Sequence, residues 1–156
     1  MKKLFLILVL LSTGISYSFS QDYSTAAGIR GGFFNGFTVK HFLNESAAAE
    51  GILSFRYRGI RITGLYEIHQ EAFQEERLKF YYGGGAHVAF YNGYNSRWTG
   101  SRSNTAVIGI DGIVGLEYTL SEFPINLGLD WKPYFNLVGY TGFGGDGGAL
   151  SIRYVF

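Results

Sequence analysis

The sequence predicts an all-β fold, an eight-stranded antiparallel up-and-down transmembrane β-barrel. Apolar and polar residues alternate with period two from Ser24 onward, in segments of ~8 to 15 residues that turn-forming residues separate. The 156 residues include 23 Gly, 12 Tyr and 14 Phe but only two Pro, a composition that favours strands and tight turns. No segment keeps a helical period, so we expect helix to be scarce.

The alternation divides the chain into eight predicted strands. They are 24–34, 36–43, 47–57, 59–70, 77–91, 106–120, 124–138 and 147–156. Segment 124–138 has the plainest pattern, with Leu127, Leu129 and Trp131 on one face and Asn126 and Asp130 on the other. Because successive side chains of a strand point to opposite faces, each strand has one apolar and one polar face.

Residues 1–20 have the pattern of a targeting segment. Lys2 and Lys3 precede an apolar run at 4–11, and Ser18 and Ser20 are the small residues of a cleavage site. The apolar run is shorter than the ~20 residues that a membrane-spanning helix needs. We therefore expect a cleaved signal peptide at 1–20 and a single barrel domain at 21–156.

The alternation alone does not decide which face points outward, because a soluble lipocalin-like barrel has the same period with its apolar residues inside. The interior of an eight-stranded barrel is only just wide enough for side chains. The apolar set here contains many Phe and Tyr residues as well as Trp131, which are too bulky for that interior. The sequence therefore predicts an apolar face turned towards lipid and a polar face that fills the lumen.

The connections differ in length between the two ends of the predicted barrel. An even number of strands puts both chain termini at one end, together with short turns near 44–46, 71–76 and 121–124, which we predict to be periplasmic. At the other end, 92–105 is the longest connection and 139–146 is rich in Gly. The longer connection carries a candidate surface-contact set, Tyr94, Arg97, Trp98 and Arg102, suited to polar or carbohydrate ligands. A solvated connector without a ligand is the alternative interpretation.

Twelve charged residues fall on the polar face of the predicted strands. They are Arg30, Lys40, Glu50, Arg56, Arg61, Glu67, Lys79, Asp111, Glu117, Asp130, Lys132 and Arg153. Buried charges in a narrow lumen are costly unless they are paired, so we predict a network of ion pairs and hydrogen bonds that plugs the barrel. The alternative is a hydrated pathway for ions.

Two local features predict departures from regular strands. Gly83–Gly85 lies inside a strand pattern and lacks the Lys, the Ser or Thr and the helix start of a phosphate-binding loop, so we assign it to barrel curvature. Pro133 has no N–H to donate, and it predicts an irregular ladder between Lys132 and Tyr134.

The residue types that most often carry chemistry are absent or scattered. The chain has no Cys, which excludes disulfides and thiolate metal sites. His41 and His69 fall on opposite predicted faces and His87 lies on another strand, without the spacing of a metal site or a Ser-His-Asp triad. Net charge is +1 and the basic residues are scattered, which argues against nucleic acid as a partner. We predict no catalytic residue, no cofactor and no metal.

Four stretches of the chain carry a family resemblance. They are Tyr82–His87 (YGGGAH), Ile108–Tyr118 (IGIDGIVGLEY), Leu129–Pro133 (LDWKP) and Leu150–Phe156 (LSIRYVF). With the leader and the eight segments, they resemble the small OmpA/OmpX-like outer-membrane β-barrel proteins of the Bacteroidota type. The resemblance implies export to the outer membrane of a Gram-negative bacterium and a non-enzymatic role that is structural or involves surface interaction. A narrow channel for ions or small solutes is the alternative function.

The resemblance also implies a role for the last strand in barrel assembly. In that family, a terminal aromatic residue preceded by alternating apolar residues is recognised by the barrel assembly machinery, and Leu150, Ile152, Tyr154 and Phe156 match this pattern. The implied partners are outer-membrane lipid, the assembly machinery during insertion and a surface ligand or membrane partner of unknown identity. The same register directs Arg153 into the lumen.

Overall fold

The computed structural model describes residues 23–56, 59–92, 105–139, 141–145 and 147–156. These residues form ten strands: β1 (Thr25–Gly32), β2 (Asn35–Phe42), β3 (Ala47–Arg56), β4 (Gly59–Ala72), β5 (Glu75–Tyr91), β6 (Thr105–Thr119), β7 (Ile125–Trp131), β8 (Tyr134–Val138), β9 (Gly142–Gly144) and β10 (Gly148–Val155). No helix in the described ranges is long and apolar enough to cross a membrane. The signal peptide predicted at 1–20 lies outside the described residues and stays a prediction.

The strands close into one barrel. Successive barrel strands pair antiparallel, and β1 pairs with β10 from Ala26↔Val155 to Gly32↔Ala149, which joins the first strand to the last. β7 and β8 both pair with β6 and together occupy one position in the barrel. β10 pairs with β7, and β9 pairs with β8, so β9 and β10 together occupy the next position. The ten strands therefore fill eight positions around the barrel. The fold is the predicted eight-stranded antiparallel up-and-down barrel.

The connections distinguish the two ends of the barrel. The start of β1, the end of β10 and the connections 43–46, 73–74 and 120–124 lie at one end, which we call the terminal end. The strand ends that flank the other connections, the longest of which spans 92–104, lie at the opposite end, which we call the loop end. The turn predicted near 71–76 is shorter in the structure, because β4 extends to Ala72 and β5 begins at Glu75.

The irregularity predicted at Pro133 is confirmed. The predicted strand 124–138 is divided there into β7 and β8, and the partner of β6 changes from Trp131 at Val114 to Tyr134 at Asp111. The carbonyl of Pro133 still accepts a hydrogen bond of 2.9 Å from the Gly112 N–H. The ladder is therefore interrupted only on the side where proline has no donor.

The connection predicted at 139–146 is in part a strand. β9 pairs with β8 through Tyr134↔Gly144, Phe135↔Phe143 and Asn136↔Gly142, so the last barrel strand begins earlier than the predicted 147. The sequence signal fails here because Gly142 and Gly144 have no side chain to reveal the alternation. Only Phe143 carries it, and that residue is exposed.

The tight turn between β4 and β5 holds two residues in a left-handed conformation. Phe73 has φ 55° and Gln74 has φ 61°, values that are costly for residues with a Cβ. We expect Gln74→Gly to raise the free energy of unfolding by about 1 kcal/mol, because glycine adopts positive φ without that cost. Urea unfolding of the refolded barrel measures this. Ser121→Gly, at a turn position without positive φ, is the matched control and should give no stabilisation.

The distribution of polarity is the reverse of that in a water-soluble protein. Lys40, Glu67 and Arg153 are 0% exposed, whereas Leu150 and Ile152, on the outer face, are 63% and 52% exposed. The outer surface is a continuous apolar band and the interior is charged. The structure confirms that the apolar face of the alternation points outward.

A thin apolar layer lies inside the barrel, and the sequence analysis did not predict it. Ile52, Leu65, Tyr81 and Ile113 pack together in the lumen, and each is at most 4% exposed. These side chains lie on the face of each strand that was predicted to be polar. Charged residues predominate on that face, so its few apolar residues gave no separate signal. The layer lies between the two groups of charged residues described next.

Candidate functional site in the barrel interior

The structure brings the twelve charged residues predicted for the lumen to the interior face of the strands. Ten of them are buried: Arg30, Lys40, Glu50, Arg61, Glu67, Asp111, Glu117, Asp130, Lys132 and Arg153. Arg56 and Lys79 are half-buried, near the loop end and the terminal end respectively. Alternation on the strands alone accounts for this grouping, because every second residue of a barrel strand faces the interior.

Lys40 lies at the centre of the group nearest the terminal end. Its Nζ is 2.9 Å from Glu67 Oε2, 3.0 Å from Glu117 Oε2 and 3.8 Å from Glu50 Oε2. The same Nζ lies 4.1 Å from the centroid of the Tyr81 ring. One ammonium group thus lies within 4 Å of carboxylates from three strands, an arrangement that offsets part of the cost of burying them.

Arg153 connects the last strand to this group. Its Nη2 donates to Glu50 Oε1 at 2.7 Å, and its Nη1 donates to Asn126 Oδ1 at 3.3 Å. The hydroxyl of Thr38 donates to the same Glu50 oxygen. Tyr23, just before β1, donates from its hydroxyl to Glu117 Oε1 at 2.8 Å. Residues of the last strand and just before the first strand are therefore bonded to the buried network.

His69 borders the same group. Its Nε2 lies 3.6 Å from Glu67 Oε2 and 3.5 Å from Glu117 Oε1, and its ring stacks on Tyr81 with centroids 5.1 Å apart. Within the described ranges, no three His, Cys, Asp or Glu residues are grouped as metal ligands. The Lys40 ammonium occupies the space between the carboxylates, where it acts as the counterion.

A second charged group lies nearer the loop end. Arg30 forms two hydrogen bonds to the carboxylate of Asp130, one of them 2.6 Å from Nη1 to Oδ2. Lys132 Nζ donates to Asp111 Oδ1 at 2.5 Å, and His87 Nδ1 lies 2.5 Å from Asp111 Oδ2. Each carboxylate here is thus held from both oxygens by nearby donors.

Tyr81 joins the two groups across the apolar layer. Its ring packs on His69 and Lys40, and its hydroxyl donates to Asp130 Oδ2 at 3.1 Å. Gly115 lies directly opposite on β6 and leaves room for the ring, because a Cβ there would lie 2.7 Å from Tyr81 Cζ and 2.6 Å from Asp130 Cβ. Packing of the Tyr81 ring therefore requires a residue without a side chain at position 115.

We expect Gly115→Ala to destabilise the barrel by about 1–3 kcal/mol, since the added methyl group forces Tyr81 or Asp130 out of position. Gly112→Ala is the matched control on the same strand, because a Cβ there would meet nothing closer than Pro133 Cγ at 3.7 Å. Equilibrium unfolding of both variants in the same detergent tests this. Equal stability of the two variants would contradict the packing argument.

Aromatic rings and guanidinium groups line the lumen at the loop end. The Phe34 side chain is 5% exposed, and its ring centroid lies 5.9 Å from that of Tyr134. Arg61 Cζ lies 4.4 Å from the Phe34 centroid and 4.3 Å from the Tyr134 centroid. Arg56 donates from Nη1 to the Phe33 carbonyl at 2.9 Å.

Phe34 and Tyr23 are interior residues that were not among those predicted for the lumen. A signal for Phe34 was available, because it has the same parity as Arg30 on the first predicted strand. Tyr23 precedes the regular alternation, so no periodic signal pointed to it. Both contribute contacts that the charged residues alone do not provide.

Two other predicted residue sets have different outcomes. Tyr94, Arg97, Trp98 and Arg102 lie outside the described residues. Leu150, Ile152, Tyr154 and Phe156 all lie on the outer face, each at least half exposed, while Arg153 between them is fully buried. Recognition of this segment by an assembly machinery stays a prediction.

The sequence matches no family model and no curated protein. Among solved structures, the chain is similar to the N-terminal β-barrel domain of Pseudomonas aeruginosa OprF, with a TM-score of 0.66. The two are 14% identical, and the similarity covers 87% of this chain and 98% of that chain. This likeness establishes the fold, an eight-stranded antiparallel β-barrel. Membership of a Bacteroidota-type family stays a prediction.

Proposed function

We propose that the protein is a non-enzymatic integral outer-membrane barrel with a structural or cell-surface interaction role. The observation that carries the proposal is the reversed polarity of the barrel, with an apolar outer band around a charged interior. A barrel of this kind has no unpaired strand edge, and it therefore suits a hydrocarbon environment. The similarity in fold to the OprF β-barrel domain supports the closed barrel on which the proposal depends.

The positions of the outer aromatic residues support a barrel axis that runs across the membrane, with one barrel end at each membrane surface. Exposed aromatic side chains occur near both ends: Phe37, Phe55, Phe90 and Phe135 towards the loop end, and Tyr118, Phe123, Tyr154 and Phe156 towards the terminal end. Such residues form the interfacial girdles of membrane barrels. We propose that the terminal end is periplasmic and the loop end faces the cell exterior.

The contacts across the lumen support a plugged barrel. Lys40 on β2 and Glu117 on β6 belong to opposite walls, four barrel strands apart, yet their side chains meet at 3.0 Å. Arg153 on β10 and Glu50 on β3 form a second cross-lumen pair. Side chains that meet across the barrel support a lumen that is closed at this level.

A narrow channel is the second candidate function. One observation favours it: several buried polar atoms have no hydrogen-bond partner, among them Glu67 Oε1, His69 Nδ1, Thr63 Oγ1 and Ser151 Oγ. Unsatisfied buried polar atoms are typical binding positions for internal water. A chain of such waters would let ions or small solutes pass beside the ion pairs.

Single-channel recording in planar lipid bilayers distinguishes the two functions. The plugged barrel is expected to give no stable open level on the nanosiemens scale. Lys40→Met with Glu117→Gln removes the cross-lumen contact and serves as a positive control, because openings should become more frequent in that variant. Stable, voltage-independent conductance of the unmodified protein on the nanosiemens scale would contradict the proposal and support the channel.

A further inference from the structure

Arg61 is the one buried cation in the described ranges whose guanidinium has neither a carboxylate partner nor a strong hydrogen bond. The side chain is on β4, two residues from its loop end, and is 4% exposed. Its Nε and Nη1 have no hydrogen-bond partner, and its Nη2 has only the Tyr91 hydroxyl at 3.5 Å. An arginine side chain stays charged in proteins, so these donors remain available.

The surroundings of Arg61 stabilise its charge without using its donors. Its Cζ lies 4.4 Å and 4.3 Å from the ring centroids of Phe34 and Tyr134. Contacts over aromatic rings involve the faces of a guanidinium group, whereas its N–H groups point outward in the plane. Leaving buried donors without acceptors destabilises the folded protein, and an acceptor from solution would offset that cost.

The charge around Arg61 favours a negatively charged acceptor. Arg56 Cζ and Lys132 Nζ lie 5.2 Å and 5.8 Å from the same Phe34 centroid, so three cations surround one ring. The two carboxylates of this region are already engaged, Asp111 by Lys132 and His87, and Asp130 by Arg30 and Tyr81. Within the described residues, this part of the lumen therefore carries an excess of positive charge.

Small residues flank Arg61 on the neighbouring strands. Arg61 is paired in register with Ser54 on β3 and Ala89 on β5, neither of which fills the adjoining space with a long side chain. Thr63, the next interior residue of β4, is 1% exposed, and its hydroxyl has no partner. β4 thus carries an unpartnered hydroxyl and unpartnered guanidinium donors two residues apart on its interior face, and donors of these kinds bind small anions.

We propose that the loop end of the lumen binds a small inorganic anion, with Arg61 as its principal ligand. The site is inside the barrel, so a free ion suits it and a bulky headgroup does not. Binding would neutralise the excess charge and provide acceptors for the unused N–H groups. This inference goes beyond the proposed function, because it requires the barrel fold but neither conductance nor a surface partner.

The test follows the arginine Nε–Hε signals by NMR in the full mature chain, refolded in detergent, as chloride or inorganic phosphate replaces gluconate at constant ionic strength. We expect one signal to shift saturably with chloride, phosphate or both, and the two titrations identify which ion binds. Arg61→Gln should abolish that signal and its titration. Arg77→Gln, which removes an exposed charge at the terminal end of β5, should leave the titration unchanged.

Two results would overturn the proposal. Absence of a saturable shift with either ion would mean that water alone satisfies the Arg61 donors. A saturable shift that persists in Arg61→Gln would place the anion elsewhere. If Arg61→Gln fails to refold, Arg61→Lys keeps the charge but loses the planar donors, and the proposal then requires its binding, followed through the backbone amides of β4, to be at least fivefold weaker.

Discussion

Lys40→Met is expected to lower the free energy of unfolding by about 3–5 kcal/mol, the usual cost of leaving buried charges without their counterion. Methionine has a similar length, so the substitution removes the charge with little change in packing. Glu117 would keep the Tyr23 hydroxyl, and Glu50 would keep Arg153. Glu67 would lose its closest partner, since Lys40 Nζ lies 2.9 Å from its Oε2.

The measurement is equilibrium urea unfolding of the barrel refolded into lipid vesicles. Arg77→Met is the matched control, because it removes an exposed basic residue and should change stability by less than about 0.5 kcal/mol. Adding Glu67→Gln to Lys40→Met should restore part of the loss, because the two substitutions act on one contact. A loss below about 1 kcal/mol for Lys40→Met would mean that the network is hydrated and that its ion pairs do not hold the barrel together.

The second large effect concerns the outer face. Ile152→Arg is expected to destabilise the barrel in vesicles by about 2–4 kcal/mol, the range for a cation placed at the bilayer midplane. Ile152 is 52% exposed and lies near the middle of β10, opposite Ile29 and Leu127. In a bilayer these outward positions contact hydrocarbon, where an arginine loses its hydration.

Ala106→Arg is the control for this substitution. Ala106 is also exposed on the outer face, but it lies one residue from the loop end of β6, where the cost should fall to about 0–1 kcal/mol. Both variants are unfolded in urea from vesicles of the same lipid. Similar stability of the two variants would contradict a membrane-spanning band centred on the middle of the strands.

The fold was predictable because an apolar outer face and a polar lumen impose a strict alternation on each strand. The period of two around Leu127, Asp130 and Trp131 divided the strand into an apolar and a polar face. Pro133 located the interruption of the hydrogen-bond ladder between β7 and β8. Arg153 between Ile152 and Tyr154 fixed the register of the last strand, because a shift of one residue would exchange buried and lipid-facing side chains. The alternation therefore indicates both the face on which each side chain lies and the register in which the strands pair.

The details of the interior were not predictable from the same pattern. Alternation tells which side chains face the lumen, but it does not tell which of them meet across it. The contact of Lys40 with Glu117 depends on barrel closure and strand stagger, and the isolation of Arg61 depends on where each carboxylate is already engaged. Glycine-rich β9 was missed because glycine shows no face preference.

The most direct test of a lipid-facing outer surface around a sealed interior is a set of methyl NOE measurements on the chain in lipid nanodiscs. We predict cross-peaks to lipid acyl chains from the outer methyl groups of Ile29, Leu127, Leu150 and Ile152. We predict none, to lipid or to bulk water, from the interior methyl groups of Ile52, Leu65 and Ile113. Lipid contacts from the interior set, or water contacts alone from the outer set, would contradict this account.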